Sequence, residues 1–77
     1  MLDMPAIGKI VRDERKELGL RQDELAAASG VGLRFIVDLE RGKATAQMGK
    51  VITVLGALGC ELQIGRPDGI IIESQRA

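Results

Sequence analysis

The 77-residue sequence contains no histidine, tryptophan or tyrosine, and it has one phenylalanine and one cysteine. Without histidine the chain lacks the commonest general base and metal ligand, so we expect neither enzyme activity nor a bound metal or cofactor. The single cysteine, Cys60, excludes an internal disulfide and a cysteine metal cluster. It fits a small buried apolar residue in a reducing compartment.

Neither positive nor negative charge is in excess, because eleven basic and eleven acidic residues give a net charge of zero. Overall charge therefore gives no support to nucleic-acid binding, and any basic footprint must be local. Residues 31–50 form a weakly basic segment. It holds Arg34, Arg41, Lys43 and Lys50 against Asp38 and Glu40.

Long hydrophobic runs are absent too. There is no stretch of about 18 apolar residues and no signal-peptide pattern at the N-terminus, so we expect a cytoplasmic protein without membrane contact. Hydrophobic residues still make up 45% of the chain. The core must be aliphatic, and a domain this small often gains stability by dimerising.

Residues 21–43, RQDELAAASGVGLRFIVDLERGK, predict two short helices joined by a tight turn. The first is expected over Gln22–Ser29 and the second over residues 32–41, with Gly30 at a turn position that favours positive φ. Ala26 provides the small side chain that a close helix crossing needs. The residues expected to face inward are Leu25, Val31, Ile36 and Leu39. This layout is that of a helix-turn-helix, whose second helix can lie in the DNA major groove.

One further helix is expected on each side of this motif. The first begins at Pro5, after a loose start over residues 1–4, and ends near Leu18. Its inward residues are Ile7, Ile10, Val11 and Leu18. The last helix begins after Thr45, an expected N-cap, and ends at Gly59. Its residues at core spacing are Met48, Val51, Ile52, Leu55 and Leu58.

The segment QDELAAASGVGLRFIVDLERGK resembles the helix-turn-helix of the phage-repressor-like XRE/Cro family. In that family a glutamine opens the first helix, LA follows, a glycine marks the turn, and the second helix ends in an E-x-G-K pattern. The resemblance extends over IGKIVRDERKELGL upstream and TAQMGKVITVLGALG downstream, so it covers residues 7–59. It implies a mainly α, four-helix DNA-binding domain over residues 1–59 and the function of a transcriptional repressor.

This resemblance implies that the second helix of the motif reads bases, through Gly32, Leu33, Arg34, Val37 and Asp38. Arg34 is the strongest candidate, because arginine binds guanine O6 and N7 bidentately. Leu33 and Val37 either touch a thymine methyl group or pack on a protein partner. Asp38 either accepts a hydrogen bond from cytosine N4 or orients Arg34, four residues away.

The expected DNA phosphate contacts are Arg21, Gln22, Arg41, Lys43 and Thr45. For Gln22, Arg41 and Lys43 the alternative is a solvated surface residue. Arg21 stands where the family usually has a Ser or Thr N-cap, so this helix start lacks an oxygen cap. The family also pairs the residues that match Arg15 and Glu40, and such a pair would lock the first helix to the third. The alternative is two independent solvated charges. Phe35 is expected either as a core anchor or as a partly exposed contact.

Residues 60–77 have a different pattern and form a separate C-terminal segment. Residues 61–64 alternate polar and apolar, RPDG at 66–69 is a tight turn, and three isoleucines follow, so a β-hairpin is predicted. An isolated hairpin is marginal in water, so we expect it to pair across a homodimer; the alternative is a hairpin folded back on its own helices. The expected dimer-interface residues are Leu62, Ile64, Ile70, Ile71 and Ile72. Residues 74–77 are expected to be disordered.

A helix-turn-helix followed by the strand-forming tail ELQIGRPDGIIIE is also similar to HipB-type antitoxins. This narrower resemblance implies an autoregulating repressor that uses C-terminal β structure in dimerisation and binds a HipA-like kinase toxin. The expected target is double-stranded DNA with a palindromic operator, whose half-sites lie about 34 Å apart. The alternatives are a stand-alone XRE-family regulator or a protein-interaction module without DNA binding. Net neutrality and Asp38 favour the interaction module.

Overall fold

The computed structural model describes residues 2–73, in which four helices are followed by a two-stranded hairpin. The helices are α1 (Met4–Glu17), α2 (Gln22–Ser29), α3 (Leu33–Glu40) and α4 (Met48–Ala57). The strands are β1 (Gln63–Gly65) and β2 (Ile71–Glu73). The predicted mainly α fold with four helices and a C-terminal hairpin is therefore confirmed. The disorder expected at residues 74–77 lies outside the described residues.

The start of α1 is capped rather than loose. Helix α1 begins at Met4, one residue before the predicted Pro5. The Asp3 carboxylate accepts a hydrogen bond from the backbone N–H of Ala6 at 2.9 Å, which satisfies one of the free donors at the helix start. The expectation of a loose start is therefore wrong at Asp3 and Met4.

The core is aliphatic and is built from one face of each helix. Helix α1 packs on α3, and α2 packs on both α3 and α4. The buried apolar residues are Ile7, Val11, Leu25, Ala26, Ile36, Leu39, Val51, Val54, Leu55 and Leu58. Within residues 2–73, none of the helices is both long enough and apolar enough to cross a membrane.

Helical spacing alone predicted a wider core face than the structure has. Ile10, Leu18, Met48 and Ile52, which were expected in the core, are between 37% and 54% exposed. Val54, which the expected set omits, is fully buried. A small domain covers only a narrow stripe of each helix, so apolar residues at the margin of the stripe remain accessible to water.

The helix-turn-helix is formed by α2, α3 and the turn between them. Helix α2 has the predicted bounds, and Gly30 at its C-cap takes a φ of 68°, in the left-handed region. Helix α3 is one residue shorter at each end than the predicted range of 32–41. Gly32 is its extended N-cap and Arg41 is its C-cap.

The prediction that Thr45 caps α4 is wrong. Thr45 lies in a turn, and the N-cap is Gln47, two residues later. Ala46 lies between them and packs against the core, so the loop must continue past Thr45 before a helix can start. Within the described chain, the Gln47 side chain makes no capping hydrogen bond.

The hairpin is formed with the predicted turn. Strands β1 and β2 are antiparallel, with Ile64 opposite Ile72. Gly69 donates its N–H to the Arg66 carbonyl at 3.0 Å, and Arg66 donates to the Ile70 carbonyl at 2.8 Å. Every strand residue is exposed, so within residues 2–73 the strands are not buried against the helices of the same chain.

Candidate nucleic-acid interface

An ion pair between Arg15 and Glu40 fixes the inner side of α3 and joins three segments of the chain. Arg15 Nε donates to Glu40 Oε2 at 2.7 Å, and Arg15 Nη2 donates to Glu40 Oε1 at 3.0 Å. Arg15 Nη1 also donates to the carbonyl oxygen of Leu20, at 2.8 Å. The pair expected between α1 and α3 is thus present, and it also holds the loop that precedes α2.

This pair is buried, since the side chains of Arg15 and Glu40 are 11% and 5% exposed. The hydrogen bond to Glu40 raises the pKa of the Arg15 guanidinium, and burial opposes that effect by desolvation. Gln22 Nε2 donates to Glu40 Oε1 at 3.3 Å and so adds a contact from α2. Buried charges need hydrogen-bond partners, and here those partners fix the orientation of α3 against α1 and α2.

The opposite side of α3 presents predicted base-readout residues to solvent. The Arg34 side chain is 78% exposed, and Leu33 is 49% exposed. Gly32 is exposed at the N-cap, and Val37 is half-buried one turn further along. Gly32, Leu33 and Arg34 lie at the N-terminal end of α3, which is the part of a recognition helix that contacts base edges.

Asp38 differs from its neighbours because it is paired with two cations. Its Oδ1 lies 3.2 Å from Arg34 Nε, and its Oδ2 lies 3.7 Å from Lys43 Nζ. The Asp38 side chain is 21% exposed. Both carboxylate oxygens thus face basic groups, an arrangement that agrees with the orienting role considered for Asp38 more than with an acceptor for cytosine.

The two predicted phosphate contacts at the start of α2 already have partners within the protein. Arg21 Nε lies 3.0 Å from Asp23 Oδ1, and its Nη1 lies 3.8 Å from Glu24 Oε1. The hydrogen bond with Asp23 raises the pKa of Arg21 and lowers that of Asp23. Glu24 also accepts from the Arg21 backbone N–H at 2.9 Å, which supplies half of a capping box. The second residue, Gln22, donates its side-chain N–H to Glu40, as described above.

The remaining predicted phosphate contacts lie where α3 ends and the loop to α4 begins. Arg41 is exposed at the C-cap of α3, and the Lys43 side chain is 55% exposed. Thr45 lines a shallow polar cavity of about 270 Å³. The cavity is also lined by Phe35, Asp38, Lys43, Ala46, Gln47 and Lys50.

Two polar residues of this cavity, Gln47 and Lys50, had no predicted role. Lys50 Nζ lies 5.7 Å from the centre of the Phe35 ring, within the range of a cation–π contact. Phe35 is half-buried and packs against the core, so it combines a core contact with a position beneath Lys50. The sequence shows Lys50 as part of the basic segment, but only the fold shows that the first turn of α4 lies beside α3.

A short helix that is fixed on its inner face, exposed on its outer face and preceded by a glycine turn defines a helix-turn-helix domain. The chain matches the helix-turn-helix family HTH_3 over residues 11–64, and it belongs to that family of XRE-type regulators. The matched range begins within α1 and ends within β1. The broad resemblance predicted from the sequence is thereby confirmed.

Comparison with known proteins gives three informative relatives. The chain is similar to the HTH-type transcriptional regulator y4mF of Sinorhizobium fredii, with 66% identity over 61 residues, or 79% of this chain and 80% of the relative. It is also 40% identical over 52 residues to an HTH-type transcriptional regulator of Methanothermobacter thermautotrophicus, covering 68% of this chain and 75% of the relative. A shorter match, 40% over 43 residues, is to the ImmF control region 10 kDa protein of Bacillus phage phi105, covering 56% of this chain and 48% of the relative.

Proposed function

We propose that this protein is a sequence-specific DNA-binding repressor that inserts α3 into the major groove. The observation that carries the proposal is the two-sided character of α3. Its inner face is fixed by buried Ile36 and Leu39 and by the Arg15–Glu40 pair. Its outer face presents the 78% exposed side chain of Arg34.

Local charge supports this proposal although the whole chain is neutral. Arg41, Lys43 and Lys50 are exposed around the C-terminal end of α3 and the start of α4. Basic side chains beside a recognition helix bind the phosphates that border the groove and fix its register. Arg21 contributes less, because Asp23 and Glu24 balance its charge.

The proposal assigns two kinds of DNA contact. Base edges are contacted by Gly32, Leu33, Arg34 and Val37, with Asp38 beside them. Phosphates are contacted by Arg21, Gln22, Arg41, Lys43 and Thr45. The two relatives named as HTH-type transcriptional regulators and the phage control-region relative support a role in transcription control.

The test is a mobility-shift titration with the DNA upstream of the protein's own gene, at several salt concentrations. We expect binding that weakens steeply with salt, because phosphate contacts release counterions. The substitution Lys43→Ala should lower the slope of log affinity against log salt concentration by about 1. Arg34→Ala should relax the sequence preference. Arg12→Ala, which removes an exposed cation from α1, is the matched control. Absence of a shift at low salt would instead support a protein-interaction module.

We further propose that the protein acts as a homodimer on a palindromic operator, with half-sites about 34 Å apart. The hairpin supports this, because Ile64, Ile70, Ile71 and Ile72 are 48–58% exposed and two strands alone are marginal in water. Leu62 lies beside them and lines an apolar cavity of about 280 Å³. This cavity is lined by Leu2, Ile7, Ile10, Leu55, Cys60, Glu61 and Leu62.

Sedimentation at several protein concentrations tests the dimer. Ile64→Thr and Ile72→Thr remove apolar surface from one face of the hairpin while keeping β-branched side chains. We expect these variants to shift the protein toward monomer and to weaken operator binding. Arg12→Ala, at an exposed position of α1, is the control. A wild-type protein that stays monomeric at high concentration would contradict the proposal.

A second candidate function is that of an autoregulating antitoxin with a HipA-like kinase toxin as partner. The feature that favours it is the hairpin after α4, on which the resemblance to HipB-type antitoxins rests. The relatives reported above carry names of regulators and of a phage control-region protein. Co-expression with the product of the adjacent gene tests this candidate. A stable complex with a kinase that this chain inhibits is the expected result, and a neighbour of another kind would contradict it.

A further inference from the structure

We propose that Asp38 is a positioning residue that aims Arg34 at a guanine base, so that Asp38 lowers overall affinity for DNA and raises discrimination between sequences. This inference rests on the proposed DNA binding. It names the base that the Arg34 side chain selects and a residue that acts through Arg34 without contacting DNA itself.

The geometry places the Asp38 carboxylate between two basic groups on the outer side of the domain. Oδ1 lies 3.2 Å from Arg34 Nε, and Oδ2 lies 3.7 Å from Lys43 Nζ. Asp38 is 21% exposed, whereas the side chains of Arg34 and Lys43 are 78% and 55% exposed. The carboxylate is therefore the least accessible of the three charged groups, and the two cations extend further into solvent.

The contact through Nε matters for what Arg34 can recognise. A guanidinium has its donors in a rigid fork, and a bidentate contact to guanine O6 and N7 needs two adjacent N–H groups. When Asp38 lies beside Nε, the two terminal amino groups are left for the base. The side chain also loses part of its rotational freedom before binding, which reduces the entropy lost on contact.

An unrestrained arginine at the same position would behave differently. It would reach phosphates on many sequences, and phosphate contacts carry no sequence information. The Asp38 charge also repels phosphates, and this repulsion acts equally on all sequences. A carboxylate at this position is therefore unfavourable for affinity in general, and its useful effect is to restrict Arg34 to one geometry.

Asp38→Asn should consequently have opposite effects on two measurable quantities. Affinity for duplexes of unrelated sequence should rise, because one negative charge is removed near the phosphates. Discrimination between a guanine and an adenine at the selected position should fall from about tenfold toward unity, since a bidentate arginine contact accounts for discrimination of that order. A residue with a merely structural role would change both affinities in the same direction.

The experiment begins with duplexes selected by the wild-type protein from a random-sequence pool. Dissociation constants are then measured for a selected duplex and for the same duplex with each G·C pair replaced by A·T. The variants are Asp38→Asn, Arg34→Lys and the two combined. Arg34→Lys keeps the charge but lacks the fork, so it should abolish the same discrimination, and Asp38→Asn should then have no further effect on it. Circular dichroism confirms that each variant is folded.

Asp13→Asn is the matched control, because Asp13 forms the corresponding i,i+4 pair with Lys9 on α1, at 2.6 Å. It should leave the guanine discrimination unchanged. The proposal is overturned if Asp38→Asn keeps the full discrimination, or if no G·C pair is sensitive to Arg34→Lys. If the wild-type protein selects no DNA at all, the proposed function fails as well, and this result is distinct from the other two.

Discussion

Gly8 of α1 lies directly against the backbone carbonyl group of Glu40, at the C-terminal end of α3. A Cβ atom at Gly8 would come 2.9 Å from the carbonyl oxygen of Glu40 and still closer to that of Leu39. Real Cβ atoms do not approach backbone oxygens so closely. The two helices can therefore cross at this distance only with a glycine at this position.

Gly8→Ala should destabilise the domain by about 1–3 kcal/mol, because the added methyl group must push α1 away from α3. The measurement is the free energy of unfolding from urea titration. Gly56→Ala in α4 is the matched control, since within the described residues a Cβ at Gly56 would meet no atom within 4 Å. That substitution should be neutral or stabilising by up to about 1 kcal/mol, as expected for alanine in a helix.

Glu40→Ala should destabilise the domain by about 3–5 kcal/mol, because it leaves the buried guanidinium of Arg15 without its carboxylate. Thermal unfolding followed by circular dichroism measures the effect. Glu61→Ala, at an exposed position, is the control and should change little. The double substitution Arg15→Met with Glu40→Leu should recover much of the loss, since the buried charge is then removed with its partner. A single variant as stable as the wild type would contradict this role.

Ser29→Ala should stabilise the domain by about 1 kcal/mol. The Ser29 hydroxyl oxygen is buried and has no hydrogen-bond partner within residues 2–73, and such a group costs free energy when it leaves water. Chemical denaturation measures the change. Thr53→Ala is the control, because the Thr53 hydroxyl donates to the Gly49 carbonyl at 3.1 Å. Equal gains at both positions would show that helix propensity, and not the unpaired hydroxyl, is responsible.

The Cys60 thiol should ionise above its ordinary range, because burial raises its pKa and the negative charge of Glu14 adds to the effect. The folded protein should therefore react slowly with a thiol reagent at neutral pH, compared with the unfolded chain. The thiol's contribution to stability is complete below the unfolded pKa and is lost as pH rises through the folded pKa. The rate of alkylation against pH gives the midpoint. Glu14→Gln should lower it slightly, and a midpoint below the ordinary range would refute the prediction.

Much of the fold could be predicted because local signals agree with the tertiary structure. The bounds of α2 follow from its flanking residues, and Gly30 has the positive φ that the turn needs. Thr45 was misleading because N-cap preference is local, whereas the start of α4 depends on where Ala46 meets the core. Local sequence is also insufficient at Gly8. It indicates only that a glycine weakens α1, and it does not show that the backbone of α3 lies against this position.

Some contacts of the candidate site could be predicted from the sequence, and others could not. The proximity of Arg34 and Asp38 could be predicted, because residues four apart lie on one side of a helix. The approach of Lys43 to Asp38 depends on the path of the loop after α3, which no spacing rule gives. The position of Lys50 above Phe35 depends on how α4 returns toward α3. Tertiary contacts of this kind appear only once the chain is folded.

The Arg15 side chain has a consequence for how the protein responds to heat. One guanidinium joins the last turn of α1, the loop at Leu20 and the last residue of α3. We therefore expect α3 to unfold together with the rest of the domain, because loosening it alone would break the buried Arg15–Glu40 pair. In the proposed DNA-binding role, no separate loss of α3 structure should precede global unfolding on heating.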